Sequence, residues 1–88
     1  MMRKLYRMVW DCGRMGFLEG IFIADEVDVE NLIGKTVYFG EVLGKHSEIF
    51  GEIERGDITE LSDDQEFIDK FSELIGPVGY NPFDYVNE

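Results

Sequence analysis

The sequence contains a single cysteine, Cys12, so no intramolecular disulfide can form. A zinc site built on several thiolates is excluded for the same reason. Small secreted domains usually depend on disulfides, whereas a chain with one cysteine is typical of a reducing compartment. We therefore expect a cytoplasmic protein.

Long hydrophobic runs are also absent. No apolar stretch approaches the roughly 18 residues that a membrane-spanning helix needs. The first residues, Met1–Tyr6, are followed by Arg7 and Asp11 rather than by the apolar segment of a signal peptide. The sequence predicts neither a membrane span nor a secretory signal.

Basic residues are scarce: 8 Lys and Arg stand against 19 Asp and Glu, for a net charge of −11 in 88 residues. This charge disfavours a protein that binds bare phosphate backbones over a broad surface. The length allows one small domain and excludes a large catalytic barrel. A protein partner with a basic surface fits this charge better than direct nucleic-acid binding or membrane binding.

The charge is unevenly distributed. Residues 1–14 have a net charge of +3, and residues 15–88 have a net charge of −14. The acids concentrated in 48–73 either solubilise the outer face of the domain or meet a basic groove on another protein. The basic segment carries Arg3, Lys4, Arg7 and Arg14, which we expect to form internal ion pairs or a contact between subunits of a possible homodimer.

Alternating apolar residues predict strands in the first part of the chain. Leu5–Trp10 and Phe17–Ala24 have aromatic and β-branched content typical of strands, and the glycines between them favour an antiparallel hairpin. The period then changes to that of a helix of about two turns. Asp25 or Asp28 can cap its beginning, and Gly34 stands where a helix-terminating glycine belongs.

Further strands are predicted in the second half. Thr36–Leu43 reads as a third strand and Ile58–Leu61 as a short fifth one. Between them, Glu48–Glu54 alternates apolar with acidic residues, which places Ile49 and Ile53 inward and the carboxylates outward.

A second helix is predicted from about Asp63 to Ile75. Ser62 and Gln65 have the spacing of a capping box. We expect the helix to clamp the fold by packing its apolar stripe against the sheet. The residues of that stripe are Phe67, Ile68, Phe71, Leu74 and Ile75.

The aromatic tail, residues 77–88, is too apolar for a typical disordered end, so we expect it to pack on the domain or on a partner. Residues 1–88 are therefore predicted to form one α+β domain of order ββα-ββ(β)-α. The prediction is a mostly antiparallel sheet of four or five strands with two helices on one face.

One loop and two residue pairs carry chemistry-bearing side chains. Gly44-Lys45-His46-Ser47 is either a polar hairpin loop or an anion contact, helped by Arg7 or Arg14. Cys12 with His46 has the residue types of a nucleophile and its base, and Glu52 with Glu54 those of a carboxylate pair. Neither pair has a spacing that demands catalysis, so we expect no enzyme, no cofactor and no metal site.

In size, acidity, lack of catalytic residues and strand-helix build, the chain resembles the small inhibitors that phages make against bacterial defence systems, the anti-CRISPR proteins among them. These inhibitors share no common motif, so the resemblance transfers no residue role. It implies a non-enzymatic protein that blocks a host protein.

The leading hypothesis is an acidic binding protein whose carboxylates occupy the basic nucleic-acid channel of a host defence protein. The first alternative is a module that binds or sequesters a nucleotide at the 44–47 loop, and the second is a structural or regulatory dimer. The residues predicted to form the acidic face are Glu48, Glu52, Glu54, Asp57, Asp63, Asp64, Glu66 and Asp69.

Overall fold

A computed structural model describes residues 3–11, 16–40 and 48–86. The described elements are the strands β1 (Arg3–Asp11), β2 (Phe17–Asp25), β3 (Thr36–Gly40), β4 (Ile49–Glu52), β5 (Ile58–Ser62) and β6 (Val78–Gly79), the helices α1 (Glu26–Leu32) and α2 (Gln65–Leu74), and the 3₁₀ turns Arg55–Asp57 and Pro82–Tyr85. The α+β fold predicted from the sequence is confirmed. Within these residues, no helix has the length and apolarity needed to cross a membrane.

The strands form two antiparallel sheets rather than one. The main sheet has the order β5-β1-β2-β6, and a separate ribbon pairs β3 with β4. β1 and β2 pair along their whole length, from Arg3 opposite Asp25 to Asp11 opposite Phe17. Because side chains alternate along a strand, this register gives the main sheet two faces of different composition.

The inner face of the main sheet, which carries Tyr6, Met8, Leu18 and Phe22, is covered completely. These side chains are buried together with Val29 and Leu32 of α1 and the inward residues of the ribbon. Ile49 and Ile53 are buried while Glu48, Phe50 and Glu52 are exposed, so the predicted orientation of this segment is confirmed. The C-terminal segment completes the cover through Tyr80, Phe83 and Tyr85.

The outer face of the main sheet, which carries Leu5 and Arg7, is covered mainly by α2. Leu5 and Ile68 are also buried, but they do not belong to the core that covers the inner face. Arg3, which shares the face of Leu5, forms an ion pair with Asp69 of α2. The two helices therefore lie on opposite faces of the sheet, and the prediction that both lie on one face is wrong.

The first helix begins and ends as predicted. The carboxylate of Asp25 accepts a hydrogen bond from the Val27 amide at 3.0 Å, and Gly34 follows the helix with a φ of 93°. A residue with a side chain is strained in that conformation, which explains the glycine at this position.

The predicted capping box of α2 is wrong. Ser62 is the last residue of β5, where its hydroxyl oxygen accepts from the Asp64 amide at 3.1 Å. Asp64 is the N-cap, and its carboxylate accepts from the amides of Glu66 and Phe67. The Gln65 side chain instead donates to the carbonyl oxygen of Arg3 at 2.7 Å, because the turn out of β5 brings it over β1.

The prediction that the stripe of α2 clamps the fold is also wrong. Only Ile68 is fully buried, Phe71 is half-buried, and Phe67, Leu74 and Ile75 are exposed. The bonds from Arg3 to Asp69 and from Gln65 to the Arg3 carbonyl fix the rotation of the helix about its axis. At that rotation, much of the apolar stripe points away from the sheet.

Candidate functional site

The outward side of the ribbon carries two exposed aromatic rings between carboxylates. Tyr38 lies opposite Phe50 in the register, and their rings stack with centroids 6.1 Å apart and planes inclined by 26°. The ring of Phe50 is 60% exposed. Glu48 and Glu52 are the neighbours of Phe50 on the same side of β4. We name this set, Tyr38, Glu48, Phe50 and Glu52, the ribbon face.

The sequence places these rings outward for a simple reason. In β3, Val37 and Phe39 alternate with Tyr38, and in β4 and just beyond it, Ile49 and Ile53 alternate with the outward residues. Because the larger aliphatic and aromatic set occupies the core side, the remaining rings must face solvent. The alternation alone places Phe50 outward, although the site predicted from the sequence contains only the carboxylates beside it.

A cavity of about 440 Å³ opens beside Tyr38 and is lined also by Asp84, Tyr85 and Val86. The C-terminal 3₁₀ turn holds these residues in place, because Asn81 caps it by accepting from the Phe83 amide at 3.0 Å and because Val86 bridges to Val37. The cavity adds a carboxylate and a second phenol ring next to the ribbon face. Aromatic rings beside carboxylates are suited to binding a guanidinium or ammonium group.

The eight predicted acids do not share one face. Glu48 and Glu52 lie on the ribbon face, whereas Asp63, Asp64, Glu66 and Asp69 lie at or in α2, on the other side of the main sheet. Glu54 and Asp57 belong to the 3₁₀ turn after β4, where the Glu54 amide donates to the Asp57 carboxylate at 2.9 Å. The predicted acidic face is therefore divided into two surfaces joined by a structural turn.

The acids also divide into those with internal roles and those without. Asp57 and Asp64 accept backbone amides, and Asp69 is paired with Arg3. Within the described part of the chain, the carboxylates of Glu48, Glu52, Asp63 and Glu66 form no ion pair. Their charges face solvent and are available to a partner.

The basic residues of β1 are neutralised within the molecule. Arg3 pairs with Asp69 and Arg7 with Glu19. Lys4 lies between two carboxylates, with its Nζ 2.8 Å from Glu60 and 3.2 Å from Glu26, and its side chain is only 13% exposed. The hydrogen bond to Glu60 raises the pKa of Lys4. Burial of the ammonium group acts in the opposite direction but is the smaller effect. This strand consequently presents little positive charge of its own.

Another ion pair ties the 3₁₀ turn after β4 to α1. The guanidinium of Arg55 donates to both carboxylate oxygens of Glu30, at 2.9 and 2.7 Å. The hydrogen bonds from Arg55 lower the pKa of Glu30, and the same contacts raise the pKa of Arg55. A bidentate pair of this kind holds the turn that follows the ribbon and so helps to orient the ribbon face.

The predicted anion-binding loop, Gly44-Lys45-His46-Ser47, lies outside the described residues, as do Arg14 and Cys12. Of its predicted helpers, Arg7 is described, and its guanidinium is engaged by Glu19 on the outer face of the main sheet. Across 3–11, 16–40 and 48–86, no group of three or more His, Cys, Asp and Glu side chains could hold a metal ion.

No protein-family model matches the chain, and neither does any curated protein or solved structure.

Proposed function

We propose that the protein is a non-enzymatic binding protein that occupies a basic, nucleic-acid-binding surface of a host defence protein, and that its ribbon face makes the contact. The observation that carries this proposal is the exposed, stacked pair of Tyr38 and Phe50 with the carboxylates of Glu48 and Glu52 beside it. Aromatic residues are enriched where proteins bind one another.

The composition of the ribbon face matches what an arginine-rich channel normally binds. Channels for single-stranded nucleic acid place cationic side chains against phosphates and stack planar groups against bases. On the ribbon face, the carboxylates provide the negative charges and the two rings provide planar surfaces. Alternate residues on one side of a strand are about 6 to 7 Å apart, so charge and ring recur at a regular spacing.

The electrostatics favour a protein partner over nucleic acid itself. The net charge of −11 repels phosphates at long range, and the described cations of β1 are paired within the domain. The same field accelerates association with a basic partner. The resemblance to small phage inhibitors supports the part of the proposal that places the partner in a host defence system.

A defined probe tests the chemistry of the ribbon face. Oligoarginine and oligolysine peptides of equal length are titrated against the protein across a salt series. We expect tighter binding of oligoarginine, because guanidinium groups both stack on rings and pair with carboxylates in a bidentate manner. Phe50→Ala should remove this preference. Equal binding of both peptides, or an unchanged preference in Phe50→Ala, would contradict the proposal.

A second experiment tests the partner class with matched variants. The double reversal Glu48→Lys with Glu52→Lys is compared with Asp63→Lys and Glu73→Lys, which makes the same charge change near α2. A partner isolated by pull-down at low salt should lose affinity for the first variant more than for the second. It should also release its nucleic acid when the wild-type protein binds. Simultaneous binding of protein and nucleic acid by the partner would refute the blocking mechanism.

The predicted nucleotide-binding alternative has its own readout. A ligand that binds only the folded state raises the melting temperature. A thermal-shift screen with mono-, di- and cyclic nucleotides should leave the melting temperature unchanged if the protein acts through the ribbon face. A rise that depends on Lys45 or His46 would instead favour the loop.

A further inference from the structure

We propose that α2 provides a second docking site, independent of the ribbon face, which binds a basic amphipathic helix of a partner protein. The site is the apolar ridge formed by Phe67, Phe71, Leu74 and Ile75, which we name the outer ridge. It lies on the opposite side of the main sheet from the ribbon, so the two sites need not compete.

The spacing of the outer ridge is that of helix-mediated recognition. Phe67, Phe71 and Leu74 stand at positions i, i+4 and i+7, which places them along one side of α2. The side chain of Phe67 is 50% exposed and that of Leu74 is 75% exposed. Phe71 is half-buried at the base of the ridge. The exposed anchors thus form a continuous line rather than scattered apolar positions.

The helix is held in place without using this ridge. Ile68 is completely buried and anchors α2 to the outer face of the main sheet. Asp64 caps the helix, Asp69 pairs with Arg3, and Gln65 donates to the carbonyl oxygen of Arg3. Phe67 lies about 100° around the helix from Ile68, so these contacts direct its ring away from the sheet. The exposure of the ridge is a fixed property of the fold.

The charges beside the ridge select the partner. Asp69 is paired with Arg3, so the charges of α2 that remain for a partner are the carboxylates of Glu66 and Glu73 and the single cation, Lys70. A depression of about 470 Å³ beside Phe67 is lined by Lys70 and by the carboxylates of Asp64, Glu66, Asp69 and Glu73. A second copy would bring like charges together, whereas lysine or arginine side chains flanking an apolar stripe would be attracted.

The dimensions indicate a helix as the occupant. The 10 residues of α2 span about 15 Å, which is close to three turns. A helix with apolar residues at the same spacing can pack along this length with its side chains between those of the ridge. We infer that the bound segment has an apolar stripe of about three turns bordered by basic residues.

Synthetic peptides test this site. The probe is an amphipathic leucine–lysine peptide with helical periodicity, and the comparison peptide has the same composition in scrambled order. The double variant Phe67→Ala with Leu74→Ala should weaken binding of the amphipathic peptide at least tenfold, about 1.4 kcal/mol. Val27→Ala, an exposed apolar position on α1 that belongs to neither docking site, is the matched control and should leave the affinity unchanged.

Three outcomes would overturn the proposal. Equal binding of the scrambled peptide would show that charge alone explains the interaction. Equal weakening by Val27→Ala would show that the peptide does not bind at α2. A dimer in sedimentation that Leu74→Asp dissociates would show that a second copy occupies the ridge. Because both α2 substitutions are at exposed positions, circular dichroism should show that each variant remains folded.

Discussion

The two faces of the main sheet are covered in very different ways. The inner face is buried under α1, the ribbon and the C-terminal segment, and its core contains residues from the beginning, middle and end of the described chain. The outer face is covered by one helix, in which a single residue, Ile68, is fully buried. The difference indicates that the inner face carries most of the folding free energy, whereas the outer face leaves apolar area for binding.

Aromatic contacts account for much of the inner face. Phe22 stacks on Tyr6 with ring centroids 5.8 Å apart and lies edge-on to Phe83 with ring centroids 5.7 Å apart. The ring centroids of Phe39 and Tyr85 are 4.8 Å apart, and Phe39 lies edge-on to Trp10 with a centroid distance of 5.5 Å. Such pairs contribute roughly 0.5 to 1.5 kcal/mol each beyond the area that they bury. No ring pair of comparable kind is found among the described residues of α2 and the outer face.

The largest expected effect is the difference between two substitutions: removal of a buried phenylalanine from the inner face and removal of an exposed one from α2. Phe22→Ala should lower the free energy of unfolding by about 3 to 5 kcal/mol, because the ring is completely buried. Phe67→Ala should change it by less than about 1 kcal/mol, because half of that ring is already in water. Chemical denaturation of both variants measures the contrast. Similar losses would mean that the two faces contribute equally.

The second effect is steric and concerns the C-terminal segment. A Cβ added at Gly20 would lie 1.9 Å from the carbonyl oxygen of Tyr80, which crosses the inner face of β2. Gly20→Ala should therefore destabilise the fold by about 3 kcal/mol, near the upper end for overpacking, because backbone must move. Hydrogen exchange should show loss of protection at Tyr80, whose amide donates to Glu19 at 3.2 Å.

Gly34→Ala is a useful comparison for this prediction, since no atom lies near the Cβ added at Gly34 and only its positive φ opposes the change. Gly20 has no positive φ, so its cost must come from the contact with Tyr80; if Gly20→Ala cost no more than Gly34→Ala, that contact would not be the severe clash expected here.

A smaller effect is expected on the outer face. Ile68→Ala should cost about 2 kcal/mol, the low end for a buried aliphatic residue, because α2 borders solvent and can settle toward Leu5. The amides of α2 should exchange faster while those of β1 and β2 keep their protection. If β1 and β2 also lost protection, the two faces would unfold as one unit, and the comparison drawn above would fail.

The smallest effect concerns an exposed ion pair. Arg55 lowers the pKa of Glu30 below its ordinary value of 4.5, so the pair stabilises the fold above that pH and is lost as the pH falls through the lowered pKa. Arg55→Gln should return the pKa of Glu30 toward 4.5. Carboxyl NMR titration of both proteins measures the shift. An unchanged Glu30 pKa would show that the pair does not persist in solution.

Much of the fold was predictable because its signals are local. Alternation predicts the strand β1, an apolar run predicts β2, and in β4 the alternation also predicts the buried side, while Asp25 and Gly34 mark the ends of α1. Only part of the ribbon face is predicted from the sequence: its carboxylates are among the predicted site residues, whereas its aromatic rings are not. Tyr38 and Phe50 come together only because the ribbon register pairs them.

The sequence by itself determined the segments of β1 to β5, the inward side chains of β4, the existence of both helices and the strongly acidic composition, whereas β6 carries no signal of its own. Tertiary structure decided which strands share a sheet, on which face α2 lies and which acids remain without an internal partner. The reason is physical: periodicity and turn chemistry act over a few residues. The rotation of α2, by contrast, depends on bonds from Arg3 to Asp69 and from Gln65 to the Arg3 carbonyl, between residues more than sixty positions apart. That rotation left Phe67 and Leu74 in water, and the position of α2 on the outer face of the main sheet divided the acids between two surfaces.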